Sequence, residues 1–290
     1  MNVQTLINLV ITGITLGAIY VLMAFGLTFV YGITKVFNYA QGSFFTWGGY
    51  IAWFLLSRSL PVNYLVVVVI TLIFMFVMGL VFEKVIIYPL RRQPDWDFTV
   101  IIVTLGCALA LDNLALAAFG PMSKKLPFLL EGTFTLGKFA VGKHDVVVLL
   151  AAIAILAALG FFLGKTREGM AMRAVAQDTT GGKIVGLSVD KLYSYSFGIS
   201  AALGALAAIL LAPRTLLYPL VGWATLLKSF TVIVMGGLGN IKGTVIAAFI
   251  LAIVEVFATY LVGGIWALPI LLLLLIGVLE IKPKGLFGTW

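Results

Sequence analysis

The chain predicts an all-α fold, a polytopic transmembrane helical bundle of about 8–10 segments. Three observations carry that reading. Hydrophobic residues make up 62% of 290 and mean hydropathy is +1.16, more apolar surface than a soluble domain can bury. The apolar runs are long and continuous, each of about 20 residues, and they lack the period-two alternation of barrel strands. Charged residues are only 10% of the chain and collect between the runs. Lipid offers backbone groups no partner, so each run closes its own hydrogen bonds as a helix. No stretch is left for a separate soluble domain, and residues 1–290 read as a single transmembrane domain.

Taken in order, the runs cover residues 5–32, 38–57, 62–88, 98–119, 145–164, 193–212, 224–239, 243–262 and 265–281. The first is long enough to tilt, or to break near Gly13 or Gly17. No basic residue precedes Lys35, so the first run lacks the positive flank of a secretory signal and is expected to be a retained helix. Residues 120–144 carry Gly, Pro and Thr punctuation and read as an external hairpin or a short amphipathic piece. The seventh run contains Lys228 and ends in a glycine cluster, as a short or re-entrant helix would. Two glycine-bearing corners, Tyr31 to Gly42 and Gly236 to Gly243, resemble each other loosely, as an inverted repeat would make them.

Basic residues flank membrane helices on the cytoplasmic side. With residues 165–191 placed inside, that side receives Lys35, Arg91, Arg92, Lys165, Arg167, Arg173, Lys183, Lys191, Lys242, Lys282 and Lys284. The outside receives Arg58, Lys124, Lys125, Lys138, Lys143 and Arg214. Eleven against six favours an external N-terminus and an internal C-terminus. The same flanking explains the net charge of +8, and no nucleic-acid partner is implied. The single cysteine, Cys107, lies inside an apolar run and reads as core packing.

Catalytic material is sparse. There is one histidine, His144, at a run boundary, and no HExxH, nucleophile elbow or GxxxxGK[ST] loop. The chain reads as a non-enzyme that binds no metal or cofactor, and any ATP-driven work must use another subunit. Asp112, Lys228 and Glu255 are ionisable residues inside runs, where they are costly and face a bundle interior or a wet cavity. At about 1.5 Å per residue they sit about 21, 17 and 18 Å above the inner ends of their helices. Matched depth lets Lys228 neutralise Glu255 or Asp112, either as a pair fixing helix register or as a polar lining of a pathway.

Two corners join that set. Asn38, Gln41 and Ser43 are uncharged hydrogen-bonding groups at the start of the second run, with Gly42, Gly48 and Gly49 permitting close backbones. Asn38 fits a helix cap, accepting from N–H groups two or three residues on, and a pathway role is compatible with that. Gly236, Gly237, Gly239, Asn240 and Gly243 fall within eight residues and read as a tight turn or as a hinge beneath a pore.

Residues 165–191 (KTREGMAMRAVAQDTTGGKIVGLSVDK) interrupt the apolar pattern most sharply. They hold three Lys, two Arg, one Glu and two Asp. The pattern reads as a short docking helix, a hinge and a second short helix, offered to a soluble cytosolic partner.

The corner NYAQG, the segment RAVAQD…VGLSVDK, the stretch KSFTVIVMGGLGNIKG and the ending KPKGLFG, in this order and spacing, resemble the LivH-type permease subunits of branched-chain amino acid ABC importers. The resemblance covers nearly the whole chain. It implies a multi-pass subunit of the bacterial inner membrane, paired with a LivM-like second permease as a heterodimer. It further implies two cytosolic ATPase subunits, which carry the ATP and Mg, and a periplasmic substrate-binding protein. Residues 165–191 then correspond to the ATPase-coupling loop, with Arg173, Ala174, Gln177, Asp178, Gly186, Leu187 and Asp190 on its pattern. The chain departs from the family at Gln41, where His is common, and at Ser43, where Glu is frequent. Gly181 and Gly182 replace better helix formers, at up to about 1 kcal/mol each.

The expected mechanism is ATPase closure pulling on residues 165–191, with rigid-body helix rotation alternating access to a cavity between two permeases. Urea, amides or aromatic acids are alternative cargoes for the same architecture. An ion-coupled secondary transporter using Asp112, Lys228 and Glu255 as a relay is the alternative from another class, and a membrane scaffold without a pathway is a third.

Overall fold

Every apolar run becomes a helix. The computed structural model describes residues 2–57, 63–91, 93, 95–136 and 139–288. The order is α1 (Val3–Thr34), α2 (Gln41–Ser57), α3 (Tyr64–Phe82), a π-helical turn (Glu83–Ile87), α4 (Tyr88–Leu90) and α5 (Trp96–Phe119). A two-stranded antiparallel ladder follows, β1 (Thr133–Leu136) and β2 (Phe139–Gly142). Then come α6 (Lys143–Lys165), α7 (Arg167–Gln177), α8 (Thr179–Ile184), α9 (Val189–Leu211), α10 (Val221–Gly236), α11 (Ile241–Val262) and α12 (Gly264–Ile281). Among the described residues seven helical spans are long and apolar enough to cross a membrane, while α2 and α10, at 17 and 16 residues, are shorter. The punctuated segment before α6 is a hairpin, with Thr133 opposite Gly142 and Leu136 opposite Phe139. Arg58, Arg92 and Lys138, which entered the charge bias, lie outside the described residues.

The described residues gather into two compact units. One holds residues 29–126 and 156–226. Its central element is α9, with 83% of its apolar window buried. It packs against α2 and α3. Helix association in lipid depends on close van der Waals contact rather than water exclusion, so small residues sit at the joints. Gly48 of α2 lies directly on Ala205 of α9. Aromatic rings fill the wider layer: Phe44 meets Phe82 edge-on at 5.1 Å, and Phe82 stacks on Phe197 at 6.2 Å. Cys107 packs against this same core, half-buried. On its outer side α3 leaves Leu65, Val69 and Ile73 exposed at spacings of four, one face of a helix.

The π turn ending α3 has a local cause. Pro89 has no N–H to donate and its ring clashes with the carbonyl four residues back. The chain widens ahead of it, and the Tyr88 N–H reaches Glu83 O, five residues away.

The other unit holds residues 1–28, 127–155 and 227–290. Here α1 is unbroken, so of the two alternatives for this long run, a tilt or a break near Gly13 or Gly17, the break does not occur. Those glycines instead admit α11: a Cβ at Gly13 would lie 3.0 Å from Ile253 Cγ1, and one at Gly17 2.6 Å from Phe249 Cδ1. The Thr28 and Thr244 hydroxyls, 2.9 Å apart, bond across the same two helices.

Candidate functional site

The corner that opens α2 is buried, and its polar groups bond locally or across helix joints except Asn38 Nδ2, which has no partner among the described residues. Asn38 Oδ1 accepts the Ala40 N–H at 3.0 Å. Gln41 clamps α2 to α9: its Nε2 donates to Ser200 O at 2.9 Å and its Oε1 accepts the Ser200 hydroxyl at 2.8 Å. Ser43 Oγ donates to Asp112 Oδ1 at 2.8 Å. Gly42 meets Gly222 of α10 so closely that a Cβ on Gly42 would stand 2.7 Å from Gly222 O. The Gly222 N–H is taken by Thr46 Oγ1 at 3.1 Å.

Asp112 and Lys228 have separate partners. Asp112 is 3% exposed, and its second oxygen accepts the Trp223 indole N–H at 2.6 Å. Of the two acids proposed for Lys228, Glu255 is the one it pairs with, Nζ to Oε1 at 2.6 Å. Tyr20 donates its hydroxyl to the other Glu255 oxygen at 2.6 Å, and Lys228 Nζ lies 5.7 Å from the Tyr20 ring centre. This intramembrane carboxylate thus has a cation and a hydroxyl on its two oxygens.

The glycine-rich corner is a tight turn wrapped by the C-terminal segment. Gly237 and Gly239 have φ of +102° and +78°, the left-handed region glycine enters freely. Gly236 and Gly243 press backbone to backbone, and a Cβ on Gly236 would meet Gly243 C at 2.6 Å. Asn240 caps α11 by accepting the Gly243 N–H at 3.1 Å, and donates its amide to Phe287 O at 2.7 Å. The Leu286 N–H bonds Met235 O at 2.7 Å.

The polar interruption is the helix pair α7–α8. Thr166 caps α7 by accepting the Gly169 N–H, and Gly169, Met172 and Val175 form its buried face. Gly169 fits because its helix lies on the end of α6, where a Cβ would stand 2.6 Å from Leu163 Cα. Arg173, Ala174 and Gln177 are exposed. The break between the helices is Asp178, which ends α7 and caps α8 by accepting the Thr180 N–H at 2.9 Å. Gly181 and Gly182 lie inside α8. Gly186, at φ +83°, closes α8 with Leu187: the Leu187 N–H bonds Gly182 O and the Gly186 N–H bonds Lys183 O, the pairing of a Schellman cap.

Asp190 leads to a cluster that sequence reasoning missed. Arg91 NH1 bonds Asp190 Oδ1 at 2.9 Å and NH2 bonds Glu83 Oε1 at 2.6 Å. The guanidinium is held between the rings of Tyr88 (5.1 Å) and Tyr193 (4.6 Å). Ser194 donates its hydroxyl to the other Glu83 oxygen. Arg91 therefore fastens the π turn after α3 to the start of α9, the helix that leaves the α7–α8 pair. Glu83 was hidden at the end of an apolar run. Its one sequence signal is a carboxylate two turns before an arginine across Pro89. Gly222 and Trp223 carry no signal of their own, because their partners are 176 and 111 residues away.

Membrane-spanning helices, an ion pair held within the spans and a capped helix pair between two of them define a polytopic helical membrane protein. The chain belongs to the family described as the branched-chain amino acid transport system permease component, whose model matches residues 9–279. It is 29% identical to the high-affinity branched-chain amino acid transport system permease protein BraD of Pseudomonas aeruginosa, over 98% of this chain and 95% of that one. It is 28% identical to LivH of Escherichia coli K12, covering 95% and 93% of the two chains. The probable LivH of Methanocaldococcus jannaschii is also 28% identical, over 93% and 88%. In fold it resembles PsaBC from Streptococcus pneumoniae in complex with Fab, with a TM-score of 0.50 and 14% identity over 97% of this chain and 91% of that one. The protein is a multi-pass inner-membrane permease of an ABC transport system.

Proposed function

We propose that this chain forms half of the translocation pathway for branched-chain or other hydrophobic amino acids, with a LivM-like permease supplying the other half. Two cytosolic ATPases bind ATP and Mg on their own chains, and a periplasmic binding protein delivers the solute. The chain itself performs no catalysis. The α7–α8 pair within residues 165–191 faces the cytosol and receives the ATPase.

One observation carries the docking assignment. On this otherwise polar pair, Ile184 and Val185 are 80% and 73% exposed, and Met170 is 46% exposed. Large apolar side chains standing in water beside a membrane mark a protein contact. The buried face of α7 fixes the pair to the permease, and Arg91 carries displacement of the α9 start into the α3 end. Asn38, Gln41, Gly42 and Ser43 hold the helices at the pathway's edge, while Asp112 and the Lys228–Glu255 pair set helix register beside it. The Gly236–Gly243 turn, with Gly237, Gly239 and Asn240, is the joint about which α10 and α11 move together.

The test is purification of the tagged chain from membranes together with its companions. The wild type brings down a second permease and an ATPase, and its proteoliposomes, supplied with the binding protein on the opposite side, take up leucine only with ATP on the ATPase side. Ile184→Asp/Val185→Asp keeps the second permease and loses the ATPase. Retention of the ATPase by that variant overturns the docking assignment.

A further inference from the structure

A cavity of about 590 Å³ lies where the ends of α1 and α4 meet the starts of α5 and α9, with α8 as one wall. Its charged lining is Lys35, Arg91, Asp97, Lys183 and Asp190. Arg91 already binds Asp190 and Glu83. Lys35 and Lys183 are both exposed and have no ion-pair partner among the described residues, and neither has Asp97. With Arg91 taken up by two carboxylates, the free charges of the lining are two lysines, Lys35 and Lys183, against one aspartate, Asp97. The buried Arg91 Nε also lacks an acceptor among the described residues.

Three aromatic residues complete the wall: Tyr88, Trp96 and Tyr193. Tyrosine and tryptophan at the ends of membrane helices sit at headgroup level. Lys35 adds a further mark. Its φ is +61°, at the end of α1 where glycine or asparagine is the usual residue. A lysine held in the left-handed region keeps a strain that glycine would not, and observed strain of this kind points toward function.

We infer that this cavity is a binding site for an anionic phosphodiester, the headgroup of an acidic phospholipid of the adjoining leaflet. Basic pockets between membrane helices on the cytoplasmic side take such headgroups. Lys35 and Lys183, the two lysines without an ion-pair partner, hold the phosphate, and the rings of Trp96 and Tyr88 flank the glycerol. Because Lys183 belongs to α8, a bound headgroup ties α8 to the end of α1. The assignment rests on the cavity and its charges and is independent of what docks on α7–α8.

The test uses the purified assembly containing the full chain, reconstituted in nanodiscs of equal phosphatidylglycerol and phosphatidylcholine, with retained lipid read by native mass spectrometry. The wild type retains phosphatidylglycerol over phosphatidylcholine by about tenfold. Lys35→Gly/Lys183→Gln abolishes the preference, and Lys35→Arg/Lys183→Arg restores it. The glycine variant relieves backbone strain, so it folds. Equal retention in wild type and Lys35→Gly/Lys183→Gln overturns the site. Displacement of the lipid by millimolar inorganic phosphate overturns the lipid source and assigns the cavity to a soluble phosphate. Displacement by millimolar leucine overturns the phosphodiester chemistry itself.

Discussion

Lys228 of α10 and Glu255 of α11 form a direct ion pair within the apolar span, Nζ to Oε1 at 2.6 Å, with side chains 23% and 11% exposed. An unpaired carboxylate at that depth is what the arrangement prevents. Lys228→Met should destabilise by about 3 kcal/mol, because it strands the acid, whereas Lys228→Met/Glu255→Gln should recover most of that loss. Tyr20→Phe, which frees one Glu255 oxygen, should cost about 1–3 kcal/mol. Thermal unfolding of the detergent-solubilised variants orders them, and equal losses in the single and double variants would remove the pair from any structural role.

Arg91 differs from Lys228 in being a fork. It reaches Glu83 and Asp190 at once, from between two tyrosine rings. A lysine has one point of charge and cannot reproduce that geometry. Arg91→Lys should keep the Glu83 pair, fold, and lose the tie to Asp190. In the assembled transporter, solute-stimulated ATP hydrolysis should fall several-fold while basal hydrolysis persists. Arg91→Met should in addition lose about 3–5 kcal/mol of stability by leaving Glu83 buried and unpaired.

Glycines divide sharply by what surrounds them. At Gly222 an added Cβ would lie 2.6 Å from Thr46 Oγ1, whereas Gly106 and Gly160 have nothing within 4 Å. Gly222→Ala should therefore cost about 1–3 kcal/mol through overpacking. Gly106→Ala and Gly160→Ala, in helix interiors facing open space, should gain about 0.5–1 kcal/mol. Melting temperatures of the three single variants check the split.

These contrasts also show what the chain discloses unaided. Every span was legible, because a long apolar run has no stable alternative to a helix in lipid. The Asn38 contact was legible too, accepting the N–H two residues on, whereas Asn240, which caps α11, reads in the sequence only as part of a tight turn or hinge. The acid that pairs with Lys228 was narrowed to two candidates by helical rise, and only tertiary packing chose Glu255. The cluster of Glu83, Arg91 and Asp190 stayed invisible for two reasons. Glu83 sat inside a run classed as apolar, and Asp190 joins Arg91 across 99 residues, a separation no periodicity reports. Gly13 and Gly17 invited a break because glycine weakens an isolated helix, but their missing side chains are filled by α11.

Asp178 offers the sharpest separation of local structure from docking. Its carboxylate caps α8 through the Thr180 N–H at 2.9 Å, while the residue itself is exposed at the junction of α7 and α8. A cap and a charged contact respond differently to substitution. Asn caps about as well as Asp, so Asp178→Asn should leave the helix pair intact, with stability within about 0.5 kcal/mol of wild type. Asp178→Ala should lose about 1 kcal/mol from the cap. Asp178→Lys loses the cap and reverses the charge offered to the ATPase. It should insert normally and abolish solute-stimulated hydrolysis in the reconstituted assembly. If Asp178→Ala and Asp178→Lys impair coupling equally while Asp178→Asn does not, the residue acts through the cap. If Asp178→Asn is itself impaired, its charge meets the ATPase directly. Full coupling in all three would show that the junction transmits no force.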